Sequence, residues 1–317
     1  MRKIVVFDPS QVTDNLGDFI IMDAVNAALY QIFPEDYLLH VPTHDCPGKG
    51  GLEQIAKSPL SFVGGTNMLT SHWWWYRQWK LRLQDFPKVK NAVLCGVGWH
   101  KYQSVPDFIT AFILRSMLSK TYLHSVRDRY TEKHLHAIGI KNVVYTGCPT
   151  MWSLTPEHCA KLPTHKAKIA VMTVTEYLKN IEVDKQWMDT VLKNYEQVYF
   201  WSQMYEDLEY AKSQVGNKVK VIAPTLAAFN EFLATTDCDY VGNRLHGGIR
   251  ALQHGRRTLI LEVDNRAAEI GRDTGLQTLP RADIAGVEHW INNPKPVSIK
   301  MPFDDIAKWK RQFAGSR

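Results

Sequence analysis

Short apolar runs and longer amphipathic runs alternate along this chain almost from end to end. Residues 3–7 form the first apolar run. After a polar loop comes an amphipathic stretch from Asp18 to about Phe33, with Ile20, Ala24, Ala27 and Ala28 at helical spacing. Ser61-Phe62-Val63 and Ala92-Val93-Leu94-Cys95 read as buried strands, closed by the glycine turns Gly64-Gly65 and Gly96-Val97-Gly98. The pattern then predicts a helix over 107–119, a strand over 121–126, a helix over 130–138 and a strand over 142–145. Residues 149 to about 164 hold three prolines and little periodicity, which marks a linker. A second alternating series follows. Its strands are predicted at 169–174, 197–201, 219–222, 239–241 and 258–261, and its helices near 184–194, 205–215, 225–235 and 247–254. Residues 303–313 read as a terminal amphipathic helix, expected to pack back on the first domain.

Strands of continuous β-branched character separated by helices imply parallel sheets covered on both faces. We therefore expect an α/β protein of two domains, residues 1–150 and 165–302, facing a cleft, with a C-terminal helical segment at 303–317. In such sheets ligands bind outside the carboxyl ends of the strands, so the loops after strands are where chemistry is sought.

A length of 317 residues suits two domains of about 150 each. No apolar run approaches the ~18 residues of a transmembrane helix. The four apolar residues before Asp8 are too few for a signal peptide, so a cytoplasmic protein is expected. The five cysteines are scattered without CxxC spacing, which gives no support to a disulfide framework or a zinc site. No metal-ligand cluster is evident. The net charge of +6 is mild. Nucleic acid would be one explanation of it, and an anionic substrate, or an anionic membrane surface carrying a lipid-linked one, explains it as well, so charge alone does not choose; no nucleic-acid partner is expected.

The strongest candidate site is Val241-Gly242-Asn243-Arg244-Leu245-His246-Gly247-Gly248-Ile249. A strand ends here and an apolar helix begins just after, which puts Arg244 and His246 in the turn. Gly247 and Gly248 allow close backbone approach to a ligand, and a helix start offers unpaired N–H groups to phosphate. Arg244 adds a planar, bidentate donor for carboxylate or phosphate. His246 can exchange a proton near neutral pH. The plainer alternative is a capping histidine and a structural ion pair. A second candidate, Ser125-Val126-Arg127-Asp128, also follows a strand; Asp128 suits an N-cap and Arg127 the cleft. In Asp14-Asn15-Leu16-Gly17-Asp18, Asp18 is expected to cap the first helix and Asn15 to reach a sugar hydroxyl. Gly64-Gly65-Thr66-Asn67 fits neither a Walker A loop nor a dinucleotide fingerprint; Gly65 would shape the cleft and Asn67 contact substrate. His72-Trp73-Trp74-Trp75-Tyr76 with Trp79 could be a sugar platform, Trp74 foremost, a membrane-interface anchor, or core, the last favoured by the helical spacing of 75 and 79.

Taken in order, these segments resemble the polysaccharide pyruvyl transferase family over residues 12–280. Asn15-Leu16-Gly17-Asp18 resembles its NxGD signature, Val63-Gly64-Gly65 its glycine loop, Ser125–Asp128 its SVRD segment and Arg244–Gly247 its RLHG segment. Cys148 and Thr66 depart from the acidic residue and third glycine frequent there. The resemblance implies two Rossmann-like domains arranged as in GT-B glycosyltransferases. It also implies phosphoenolpyruvate as donor, no cofactor, a saccharide acceptor, free or lipid-linked, and a pyruvate ketal as product in exopolysaccharide or cell-surface glycan synthesis. Arg127, Arg244, Leu245, His246, Gly247 and Gly248 would then hold the donor, with His246 and Arg244 catalytic, and Asn15, Asp18, Gly65, Asn67 and Trp74 would line the acceptor side. A nucleotide-sugar glycosyltransferase is the competing reading, with Glu262, Asp264 and Arg266 near its nucleotide. A binding protein without turnover is a third.

Overall fold

The first strand, β1 (Lys3–Asp8), is buried from Ile4 onward, with its side chains alternating between two apolar clusters: Val5 and Phe7 on one face, Ile4 and Val6 on the other. Such a strand must lie inside a sheet covered on both sides. In the structure, a computed structural model that describes residues 1–314, it does. The chain divides into two units, one made of Met1–Thr13, Ile21–Trp152 and Met301–Arg317, the other of Asp14–Ile20 and Ser153–Lys300.

The first unit continues with α1 (Leu16–Ile32) from Ile21 onward, β2 (Tyr37–Pro42), α2 (Lys49–Lys57), β3 (Ser61–Gly64), β4 (Ala92–Cys95), α3 (Phe108–Met117), β5 (His124–Val126), α4 (Arg129–Ala137) and β6 (Val143–Tyr145). Four parallel strands run in the order β2-β1-β3-β4, and β5 pairs in parallel with β6. The backbone joins the two sets beyond β4: Gly96 donates to the Ser125 carbonyl at 3.0 Å, and Arg127 to that of Val97 at 3.0 Å. β2 and α2 were not expected. β2 is an edge strand only partly buried, and α2 carries Gly50 and Gly51, which blur helical periodicity.

The second unit holds α5 (Pro156–Cys159), β7 (Ile169–Thr173), α6 (Ile181–Asn194), β8 (Gln197–Trp201), α7 (Asp207–Val215), β9 (Lys220–Ile222), α8 (Leu226–Thr235), β10 (Cys238–Gly242), α9 (Leu245–Gln253), β11 (Thr258–Glu262), α10 (Asn265–Thr274), β12 (Thr278–Pro280) and α11 (Ile284–Asn292). Its six parallel strands run β12-β11-β10-β7-β8-β9, so the winding reverses between β7 and β10. Ligands of such sheets bind at that reversal, beyond the carboxyl ends of the two strands.

The segment Asp14–Ile20 belongs to this second unit, a correction to its expected place in the first domain. Hydrogen bonding explains it. Leu16 donates its backbone N–H to the Gln203 carbonyl at 2.9 Å, and the Gln203 side chain donates to Asn15 Oδ1 at 2.9 Å. Last, α12 (Phe303–Arg311) packs on the first unit as expected: Trp309 and Phe313 join Phe33 and Phe62, the Phe62–Phe313 centroids lying 5.3 Å apart. Residues 315–317 of the expected terminal segment lie outside the described residues. Among the described residues no helix is long and apolar enough to cross a membrane.

One buried residue makes the first unit sensitive to acid. His124, in β5, is fully buried, and burial pushes its imidazole down from the ordinary value to about 4. Leu94 N–H donates to its Nδ1 at 3.3 Å, so Nε2 carries the proton and donates to the Ser119 carbonyl at 2.9 Å. A second ring proton would face the Leu94 N–H. The folded pKa is depressed, so below the ordinary value of 6.5 the unfolded chain binds a proton that the folded one refuses. Stability should therefore fall between pH 6.5 and about 4, by roughly 3 kcal/mol at 1.36 kcal/mol per pH unit. Urea titrations across this range should show that slope, and His124→Gln should flatten it. An unchanged slope would remove His124 as its cause.

Candidate functional site

At the winding reversal of the second unit, the carboxyl ends of β7 and β10 lie side by side, Gly242 paired with Thr173. A Cβ on Gly242 would stand 2.3 Å from Thr173 Oγ1, so only glycine lets the strands close up here. The Tyr240 hydroxyl donates to the Arg244 carbonyl at 2.7 Å and meets Thr173 Oγ1 at 2.5 Å. Since the tyrosine proton is spent on Arg244, the threonine is the donor of that pair. This chain fixes the backbone of Arg244, which stands immediately before α9.

α9 starts at Leu245, two residues earlier than the periodicity suggests. His246 is therefore not in a turn but buried in the first turn of the helix. The apolar residues that reveal the helix begin at Ile249, and the two glycines before it hide its start. Their roles differ. The Gly247 N–H donates to Gln203 Oε1 at 3.2 Å, while Gly248 faces β11, where a Cβ would lie 2.6 Å from Ile260. Gln203 thus ties three segments together: α9, the loop after β8 and Asn15.

Arg244 makes the structural ion pair held open as an alternative. Its Nε donates to Asp207 Oδ2 at 2.9 Å, its Nη2 donates to Oδ1, and Tyr177 lies under the guanidinium with its centroid 5.0 Å away. Asp207 also accepts from the backbone N–H groups of Glu176 at 3.2 Å and Met204 at 3.0 Å. The bidentate edge expected for a ligand is thus committed within the unit. Both partners are buried, so removing the carboxylate strands a charge. Asp207→Ala should cost about 3–5 kcal/mol. Urea unfolding should show it as a lower midpoint at constant slope; a loss below 1 kcal/mol would mean that the pair is solvated.

Around this turn the loops at the carboxyl ends present buried polar atoms without a hydrogen-bond partner: Thr175 Oγ1 after β7, Ser202 Oγ after β8, Asn243 Oδ1 and Nδ2 after β10, and Asn265 Oδ1 after β11. Native structures satisfy most buried polar groups. These exceptions, on segments that follow neighbouring strands, are neutral hydroxyls and amides, groups that can pair with sugar hydroxyls or phosphate oxygens.

The first unit carries a different site. Asp128 caps α4, accepting from Thr131 N at 2.8 Å and Thr131 Oγ1 at 2.6 Å. Arg127 is 1% exposed and gives its Nε to Asp128 Oδ2 at 3.2 Å, but Nη1 and Nη2 have no partner. Gly98 makes room for it: a Cβ there would stand 2.2 Å from Nη2. Asn67 Oδ1 is buried and unpartnered in the same unit. Gly65 has φ +44°, with Ile21 where its Cβ would be, and Thr66 holds a left-handed φ of 54°, a conformation glycine adopts without strain. The thiol of Cys148 is buried and shifted upward, hence unionised and inert.

Three expectations need correction. Asp18 does not cap α1; Asn15 does, its Oδ1 accepting from Gly17 N at 3.1 Å and its Nδ2 donating to Asp18 Oδ2 at 3.2 Å. With Gln203 also on Oδ1, this amide is engaged within the unit rather than presented to a sugar. The tryptophan segment is not helical. Trp73 and Trp79 are core, while Trp74 and Trp75 are exposed on a turn. Thr175, Ser202 and Asn265 were not anticipated, and Gly98 only as part of its glycine turn. The glycine turn after β4 was the one visible signal, and nothing in sequence tells an unpartnered hydroxyl from a partnered one. No group of three or more His, Cys, Asp or Glu that could hold a metal occurs among the described residues.

Two Rossmann-like units with parallel sheets and phosphate-compatible turns at their carboxyl edges define a GT-B-like α/β protein. Solved structures share this fold. Staphylococcus aureus MnaA with UDP is similar at TM-score 0.56 and 13% identity, over 93% of this chain and 92% of that one. The Methanocaldococcus jannaschii UDP-GlcNAc 2-epimerase with UDP-GlcNAc and UDP is similar at TM-score 0.56 and 11% identity, over 99% of each chain. No curated protein matches significantly. The polysaccharide pyruvyl transferase family model matches residues 15–265, and the chain belongs to that family.

Proposed function

We propose that the protein transfers the pyruvyl group of phosphoenolpyruvate to two hydroxyls of a saccharide, releasing phosphate and forming a pyruvate ketal. Arg127 carries this reading. A buried guanidinium with two unpaired nitrogens is costly unless an anion completes it, and phosphoenolpyruvate brings both a carboxylate and a phosphate. Family membership supports the same class of reaction.

In this account the methylene carbon of the donor takes a proton, and a cation develops at C2. One sugar hydroxyl adds to C2 and a second displaces phosphate; of the two hydroxyl protons, one replaces the proton consumed and the other leaves with the phosphate. His246 is assigned the proton transfer, because it is the one imidazole of the Arg244–Gly248 segment, the side chain that most often serves as general acid or base. The neutral groups Thr175, Ser202 and Asn243 suit a hydroxyl-rich ligand. The residues a glycosyltransferase reading would use are engaged within their unit: Glu262 accepts from Thr278 Oγ1 at 2.6 Å, and Asp264 accepts from Arg266 Nε at 2.8 Å.

Thermal unfolding with each candidate donor separates the readings. Phosphoenolpyruvate at 100 times its dissociation constant should add about 2.7 kcal/mol, and UDP- or GDP-sugars should add nothing. Stabilisation by a nucleotide sugar and none by phosphoenolpyruvate would overturn the proposal.

A further inference from the structure

Helix α3 buries one face, Thr110, Ala111, Ile113, Leu114 and Met117, against the core of the first unit. Its opposite face should be polar, yet it begins with Phe108, Ile109 and Phe112, exposed at 79%, 46% and 54%. The turn carrying Trp74 and Trp75 abuts the start of this helix. Trp73 N–H donates to Thr110 Oγ1 at 2.9 Å, and His72 Nδ1 lies 3.1 Å from Asp107 Oδ2. Trp75 is 89% exposed. Two segments distant in sequence therefore bring exposed large apolar side chains to neighbouring parts of the surface.

The charge around it is one-sided. Residues 72–120 carry eight Lys and Arg against two acidic residues, a surplus equal to the net +6 of the whole chain. Of the two acids, Asp107 caps α3 through Thr110 N at 2.7 Å, and Asp85 is buried with Lys88 3.8 Å away, so six basic residues of this stretch are left in excess. At the far end of α3 the stripe runs into a cavity of about 600 Å³ lined by Phe112, Arg115, Lys120, Ile140 and Lys141, with no acidic residue in its lining.

We infer that this face docks on an anionic phospholipid bilayer, with Trp75, Phe108 and Phe112 entering the headgroup region and the basic cavity taking a lipid phosphate. Exposed aromatics set among Lys and Arg match the interface between acyl chains and anionic headgroups. A second copy of the chain fits poorly, since a two-fold contact through this patch would bring like charges together. Nucleic acid would have no use for the aliphatic Ile109 beside the aromatics. The inference stands apart from the donor assignment.

Co-sedimentation of the full chain with vesicles tests it. Binding to vesicles rich in phosphatidylglycerol is expected, and none to pure phosphatidylcholine. Trp75→Ser with Phe108→Ser and Phe112→Ser should lower the bound fraction at least tenfold, as should Arg115→Glu with Lys120→Glu. Circular dichroism and the thermal midpoint serve as folding controls. If the triple variant fails to fold, the charge-reversal pair decides, since both its positions are exposed. Equal binding to both vesicle types, no binding to either, or folded variants that bind like the parent would each overturn the inference. So would a dimer in solution that the triple variant dissolves, or preferential binding of an oligonucleotide that vesicles do not displace.

Discussion

Arg127→Met should abolish donor binding while the protein stays folded at some cost in stability. In the free protein the Arg127 guanidinium is buried with Nη1 and Nη2 unpaired, while its Nε pairs with the buried Asp128. Methionine removes the unpaired nitrogens but also leaves that carboxylate without its cation. Asp128 keeps its two contacts to Thr131, so the start of α4 survives. With donor present, the loss of a buried charged partner is worth about 2–5 kcal/mol, or roughly 10²–10⁴ in kcat/KM. Thermal unfolding with and without phosphoenolpyruvate would show a lowered midpoint and no ligand shift. A variant that does not fold would mean that Arg127 is structural, and an unchanged ligand shift would place the anion elsewhere. Arg127→Lys should recover little, because a point charge cannot reproduce the planar fork.

His246→Ala should lower turnover by about 10²–10⁴, the range for a lost general acid or base. Donor affinity should change much less, since proton transfer acts on the transition state. His246 is buried in the first turn of α9, so circular dichroism must accompany the kinetics. Near-parental turnover in a folded variant would end the catalytic assignment. Intact chemistry with weakened donor binding would make His246 a ligand instead.

The parallel sheets were readable in sequence because their strands are buried on both faces. β3, β4 and β10 are continuous apolar runs closed by glycine, and periodicity finds them within a residue or two. Elements failed to appear where that signal is weak: the edge strand β2, the glycine-containing α2, and α10, whose sequence is largely polar. The candidate site divides along similar lines. Residue type marked Arg127, Arg244 and His246 as capable of the chemistry. Whether an arginine is paired depends on a distant carboxylate. Asp207 takes the edge of Arg244 from 37 residues away, while Asp128 takes only the Nε of its neighbour Arg127. Sequence puts the Arg244 segment first and the Arg127 segment second, and in the folded chain it is Arg127 whose Nη1 and Nη2 are left without a partner.

Transfer from labelled phosphoenolpyruvate tests the central claim most directly. The protein is incubated with donor labelled in its three carbons and with a panel of saccharides, and both glycan-bound label and free phosphate are followed. The account predicts label in an acid-labile pyruvate ketal on the glycan, with one phosphate released per pyruvyl group. In deuterated water each new methyl group should carry one deuterium, taken up when the methylene carbon is protonated. Glycan that stays unlabelled while a nucleotide sugar elongates the same acceptor would contradict it.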